Sequence, residues 1–233
     1  MYGQGEAAEA RVERTRRRDK TYHRGAMTAN LGTLGEDVAA ALGVALDATA
    51  RAHVAIWLGR LQEWNARTNL TAARSPGELA DLMLADAAVL ATRIPQGATL
   101  VDVGAGAGAP GLALALVRPD LRVTLVEPLG KRASFLRTVI GAVGRPDIGI
   151  ERVRGEALSL ERPWDVAVSR ATLPPAAWLD LGTKLVAPGG TVWVLVAGEE
   201  PPSHARAALE TNFAYVWPLT GVARRMLGYR ALR

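Results

Sequence analysis

An open, mostly parallel α/β sheet preceded by a helical segment is the fold that the chain predicts, on three observations. Apolar residues recur at helical spacing up to about Thr92, then give way to short β-rich runs separated by helical stretches. A glycine-rich turn leaves the first of those runs and enters the first of those helices. The last apolar run, 226–231, follows its predecessor too closely for a crossover helix, so it should add antiparallel.

The elements follow in order. From Leu31 to about Thr92 the pattern is helical, with Val54, Trp57, Leu58, Leu61 and Trp64 recurring every three or four residues along one apolar face. Ser75-Pro76-Gly77-Glu78 supplies an N-cap, a proline at the first helical position and an acidic first turn, opening a helix through Leu79, Leu82, Met83, Asp86 and Val89. Residues 93–96 break it. Runs 99–103, 122–127, 149–153, 165–169, 191–196 and 213–218 then read as strands, with helices at 111–117, 131–143, 174–186 and 203–209. Such alternation implies βαβ units and a sheet covered on both faces. Residues 27–96 are thus expected as a helical cap and 97–233 as the sheet-bearing domain.

Composition narrows the chemistry. The 233 residues are 49% hydrophobic and 22% charged, enough for a substantial core. The absence of cysteine excludes disulfides, a cysteine-based zinc site, an iron–sulfur cluster and any thiolate nucleophile. His23, His53 and His204 have no metal-ligand spacing, so no metal is expected. Of the net +5, residues 1–26 carry +3, and that arginine-rich segment has too few large apolar residues to bury a core. It is expected to be a disordered basic tail, open to three readings: translation starting at Met27, an RNA-binding arm, or an inert extension. Residues 98–117 are as apolar as a membrane span, but Asp102, four glycines and Pro110 argue against one. The expected location is the cytoplasm.

The strongest local signal is Val101-Asp102-Val103-Gly104-Ala105-Gly106-Ala107-Gly108-Ala109-Pro110-Gly111. A strand that turns this sharply into a helix brings backbone close to a ligand at the carboxyl end of the sheet. Gly106-x-Gly108-x-x-Gly111 with Glu127 downstream also satisfies a dinucleotide fingerprint, which keeps a nicotinamide-binding protein open. Asp102 favours S-adenosylmethionine instead, because a negative charge there would repel a pyrophosphate but suits a cationic methionine end. Glu127, closing the second strand, can accept hydrogen bonds from ribose hydroxyls.

That loop, together with Leu129-Gly130-Lys131-Arg132-x-x-Phe135-Leu136 and Ser169-Arg170-Ala171, resembles the RsmG (GidB) family of bacterial methyltransferases. Trp64-Asn65, Asn69-Leu70-Thr71 and Arg154-x-Glu156 extend the match, in order, over roughly residues 55 to 225. The resemblance implies a class I S-adenosylmethionine-dependent methyltransferase sheet, Rossmann-like, and methylation of a guanine N7 in small-subunit (16S) ribosomal RNA, free or within the ribosomal subunit. It implies that Gly104 and Ala109 line the cofactor pocket, that Gly155 and Glu156 flank the adenine, and that Arg170 reaches the cofactor. Asp102, Gly106, Gly108 and Glu127 complete the expected cofactor set. Lys131, Arg132, Arg224 and Arg225 are the candidate RNA contacts.

The chain also departs from that pattern. Where the family carries an Arg-His pair before Asp-Ser, this sequence reads Leu82-Met83-Leu84-Ala85-Asp86-Ala87, and the family's Lys-Gly after the fifth strand is Ala197-Gly198. A different acceptor, such as a small metabolite, therefore stays open, as does an inactive binding module. No catalytic residue is singled out. Guanine N7 carries an in-plane lone pair, so alignment with an electrophilic methyl can suffice without a general base.

Overall fold

The computed structural model describes residues 31–232; the basic segment 1–26 lies outside them. Among the described residues three helices come first: α1 (Leu31–Ala41), α2 (Ala48–Thr68) and α3 (Pro76–Ala91). The sheet follows as β1 (Thr99–Val103), α4 (Gly111–Val117), β2 (Arg122–Val126), α5 (Gly130–Val143) and β3 (Gly149–Glu151). A 3₁₀ turn at Gly155–Ala157 leads to β4 (Trp164–Ser169), α6 (Pro175–Leu185), β5 (Val186–Val196), β6 (Ala207–Val216) and β7 (Ala223–Ala231).

Local signals account for the helix ends. Ser75 accepts from Glu78 N at 3.1 Å, which caps the first turn of α3, while the Glu78 carboxylate accepts from Arg74 N at 2.7 Å and so fixes the chain entering it. Asp47 caps α2 through Ala50 N at 2.7 Å. The apolar stripe read on α2 is the face that the fold buries: Val54, Trp57, Leu58 and Leu61 are fully enclosed, and Trp64 packs edge-on against Phe135 of α5. This cluster runs without interruption from α1–α3 through α4 and α5 into one face of the sheet. A second cluster, around Trp178, Leu179, Val192 and Tyr229, fills the other face under α6.

Seven strands lie in the order β3-β2-β1-β4-β5-β7-β6. The first five are parallel, and β7 runs antiparallel to both β5 and β6. Strand order reverses between β1 and β4, which places the ligand crevice above the carboxyl ends of those strands.

One expectation about the final third is corrected. Residues 203–209 do not form a helix: the strand β6 begins at Ala207, and the region before it holds only a bridge between His204 and Ala207. The last strand adds antiparallel as expected, and it does so by inserting between β5 and β6. The physical reason for the correction is edge pairing. Helix preference over such a segment is worth only tenths of a kcal/mol per residue, whereas pairing from Ala207↔Ala231 to Val216↔Ala223 satisfies the outer edge of β7 along its length.

Candidate active site

The glycine loop is held from four sides. Gly104 N and Ala105 N donate to Val126 O at the end of β2 (2.8 and 3.1 Å). Beneath the loop, Asp102 Oδ2 accepts from Gly111 N at 2.8 Å and so ties the strand to the first turn of α4. From the helical layer, Trp57 Nε1 donates to Ala107 O at 2.9 Å. At the front, Glu127 accepts from Gly106 N (2.9 Å) and Leu129 N (2.8 Å), one bond to each carboxylate oxygen. Each oxygen keeps a further lone pair for a ligand donor. Glu127 is nonetheless 2% exposed, with Arg132 4.0 Å away, so loop-holding is part of its role alongside any ligand contact.

A cleft of about 700 Å³ opens over this loop, within the roughly 300–1,000 Å³ usual for small-ligand sites. Of the expected cofactor residues, Gly104, Gly106, Ala109, Glu127, Gly155, Glu156 and Arg170 line it, and so does Arg132. Asp102, Gly108 and Lys131 do not. Gly108 turns toward α2 and α4, where a Cβ would meet Leu112 at 2.9 Å and Trp57 at 3.3 Å; its glycine serves packing. Lys131 is exposed on the first turn of α5. Thr172 also lines the cleft and was not singled out from sequence, and Leu129 and Arg154, quoted there only as motif positions, line it too. Nothing local marks Thr172: it arrives through the crossing of β4 beside β1, with its hydroxyl 3.2 Å from Val103 O.

Asp102 has no exposed surface, and its Oδ1 has no hydrogen-bond partner among the described residues. Burial pushes its carboxyl up to about 7, against the opposing effects of the Gly111 N–H and the Arg170 charge. A raised folded-state value means that the native state binds the proton more tightly than the unfolded chain does. The group therefore favours folding at low pH, and that contribution is lost as pH climbs from about 4 to about 7. In Asp102→Asn the thermal midpoint should change less across this window than in the wild type; equal pH profiles would refute the assignment.

Beside the cleft lies a second cavity of about 280 Å³, sharing the wall formed by Leu82, Arg170, Ala171 and Leu173. It is organised by Asp86, 2% exposed on α3. Asp86 accepts from Tyr215 Oη (2.6 Å) and Trp217 Nε1 (3.0 Å), and pairs with Arg170 Nη1 at 3.2 Å. Arg170 Nη1 also donates to Leu82 O. Burial first, then the Asp86 charge, drives the Tyr215 hydroxyl far above its ordinary range, so it remains a donor. The guanidinium of Arg224 lies 4.2 Å from the Trp217 ring centroid and lines the same cavity. Arg225, its neighbour on β7, points to the other face and reaches Glu199 O at 3.5 Å. Of these two candidates, Arg224 lines the cavity and Arg225 does not.

The geometry thus provides adjoining cavities, one over a glycine loop and one lined by arginine and tryptophan. No helix among the described residues is long and apolar enough to cross a membrane, and no cluster of potential metal ligands occurs among them. In overall fold the chain is similar to Burkholderia thailandensis 1,6-didemethyltoxoflavin-N1-methyltransferase, solved with S-adenosylhomocysteine (TM-score 0.54, 15% identity, 81% of this chain and 93% of that one). That likeness is one of fold. In sequence the chain is 38% identical over 170 residues to the ribosomal RNA small subunit methyltransferase G of Anaeromyxobacter dehalogenans strain 2CP-1, covering 72% of this chain and 79% of that one. It is 38% identical over 165 residues to the protein of the same name from Chromohalobacter salexigens, covering 71% and 78%. Residues 51–214 match the family GidB, rRNA small subunit methyltransferase G, and the chain belongs to that family.

Proposed function

We propose that the chain transfers a methyl group from S-adenosylmethionine to N7 of a guanine in small-subunit (16S) ribosomal RNA, in the cytoplasm and without a metal. The observation that carries this reading is the shared wall: a cofactor cleft over the glycine loop and a base-sized cavity meet at Arg170 and Leu173. Family membership speaks for an RNA acceptor over a small metabolite, and for S-adenosylmethionine over a nicotinamide dinucleotide. In this reading residues 97–233 form the transferase domain and 27–96 its helical cap.

The residues fit the cofactor. A Cβ at Gly104 would fill the turn, Glu127 keeps lone pairs for hydroxyl donors, and Pro128 and Leu129 give an apolar wall for an adenine. S-Adenosylmethionine supplies an electrophilic methyl on a sulfonium. The chain's task is then to align and to exclude water, which can supply effective molarities on the order of 10⁵–10⁸ M without a base. Arg132, Arg154 and Arg170 on the cleft and Arg224 on the second cavity give phosphate partners on this side of the sheet.

Labelled methyl from S-adenosylmethionine should enter the RNA of small subunits that lack their N7-methylguanosine. No incorporation by protein that binds the cofactor would overturn the reading. The same assay on a chain beginning at Met27 measures what residues 1–26 contribute.

A further inference from the structure

We infer that Glu199 reads the N1–H and N2 amino edge of the acceptor guanine in the second cavity, and so sets base specificity. This rests on the proposed N7-methyltransferase reading and goes beyond it. The cavity, about 280 Å³, lies at the lower limit of small-ligand pockets and suits one base rather than a nucleotide. Arg224, its guanidinium 4.2 Å over the ring of the buried Trp217, forms one wall with it, and Leu173, Pro175 and Val196 give apolar sides. A purine whose N7 faces the wall shared with the cofactor cleft presents its opposite edge away from that wall. Glu199 is on the lining yet absent from the cofactor cleft.

Its geometry suits a fixed acceptor. Glu199 Oε2 accepts from Ala197 N at 2.8 Å and from Gly198 N at 3.0 Å, which pins the carboxylate on the turn after β5. Oε1 accepts no hydrogen bond among the described residues and has lone pairs for the adjacent N1–H and N2–H. The backbone N–H of Glu199 itself, then those of Gly198 and Ala197, and last the Arg224 charge, hold the carboxyl below its usual range, so it is ionised at neutral pH. This carboxylate stands beside Ala197-Gly198, where the family pattern has lysine. Asp86, the other carboxylate on the lining, already faces Arg170, Tyr215 and Trp217.

Glu199 should also favour the reaction. As the N7–CH₃ bond forms and the S–CH₃ bond breaks, the electron pair stays with sulfur, which becomes a neutral thioether, and the positive charge passes to the purine. N1–H then becomes a stronger donor, so its bond to a carboxylate tightens toward the transition state.

The test uses the full chain with S-adenosylhomocysteine bound and two probes, 7-methylguanosine and 7-methylinosine monophosphates, which differ only in the N2 amino group. The wild type should bind the guanine form about tenfold or more tightly, the range for a charge-assisted hydrogen bond. Glu199→Gln keeps an oxygen for Ala197 N and Gly198 N but turns a donor toward N1–H. It should abolish the discrimination and lower kcat on small subunits, leaving S-adenosylhomocysteine affinity and the thermal midpoint unchanged. Equal binding of both probes by the wild type, no binding of either, or discrimination persisting in Glu199→Gln would overturn the inference. A wild type that transfers no methyl to small subunits fails the parent reading instead.

Discussion

Gly104→Val should abolish S-adenosylmethionine binding and lower stability together. Gly104 sits at φ +80°, where a β-branched residue is strained, and a Cβ there would run into Thr172 Oγ1 and lie 2.8 Å from its Cγ2. Neither side can yield easily, since the Gly104 N–H is bonded to Val126 O and Thr172 Oγ1 lies against Val103 O. Forced backbone strain of this kind costs about 1–3 kcal/mol before the clash is counted. We expect affinity to fall more than a hundredfold by calorimetry and the thermal midpoint to drop. Unchanged affinity would mean that the cofactor does not lie over this turn.

The second large effect should come from Asp86→Ala. Its carboxylate receives two buried aromatic donors and the Arg170 guanidinium, so truncation strands a cation and leaves Tyr215 Oη and Trp217 Nε1 unpaired. Breaking a buried pair from one side costs about 3–5 kcal/mol. Tyr215→Phe removes one of those donors and should cost only about 1 kcal/mol. Chemical denaturation of both variants measures the difference; Asp86→Ala within about 1 kcal/mol of wild type would show that the cluster is not a structural hub. Where Asp86→Ala folds at reduced temperature, methyl transfer should fall further than cofactor affinity, because Arg170 stands on the wall between the cavities.

The glycine loop was legible because its information is local. A strand, a turn and a helix start within a dozen residues, and Gly104, Gly106 and Ala109 line the cleft that this order implies. The cap of α3 and the buried stripe of α2 were equally legible, since their periodicity is written in consecutive residues. Asp102 was readable as important but not in its place: spacing marks an acid before the glycines, while only the packed sheet makes it a buried tie to Gly111.

The same distinction explains what was missed. Residues 203–209 have helical composition and become the approach to a strand, because β7 presents an edge that residues 207–216 cover. Asp86 meets Arg170 across 84 positions and Tyr215 across 129. By itself the sequence determined the helical start, the alternation that makes a parallel sheet, the glycine turn that opens onto a cleft, and the family. The tertiary structure alone decided which arginine of the 224–225 pair faces the second cavity, that Glu199 lines that cavity, and that Asp86 holds its wall. Those outcomes depend on strand register and on contacts between distant segments, and neither leaves a period in the chain.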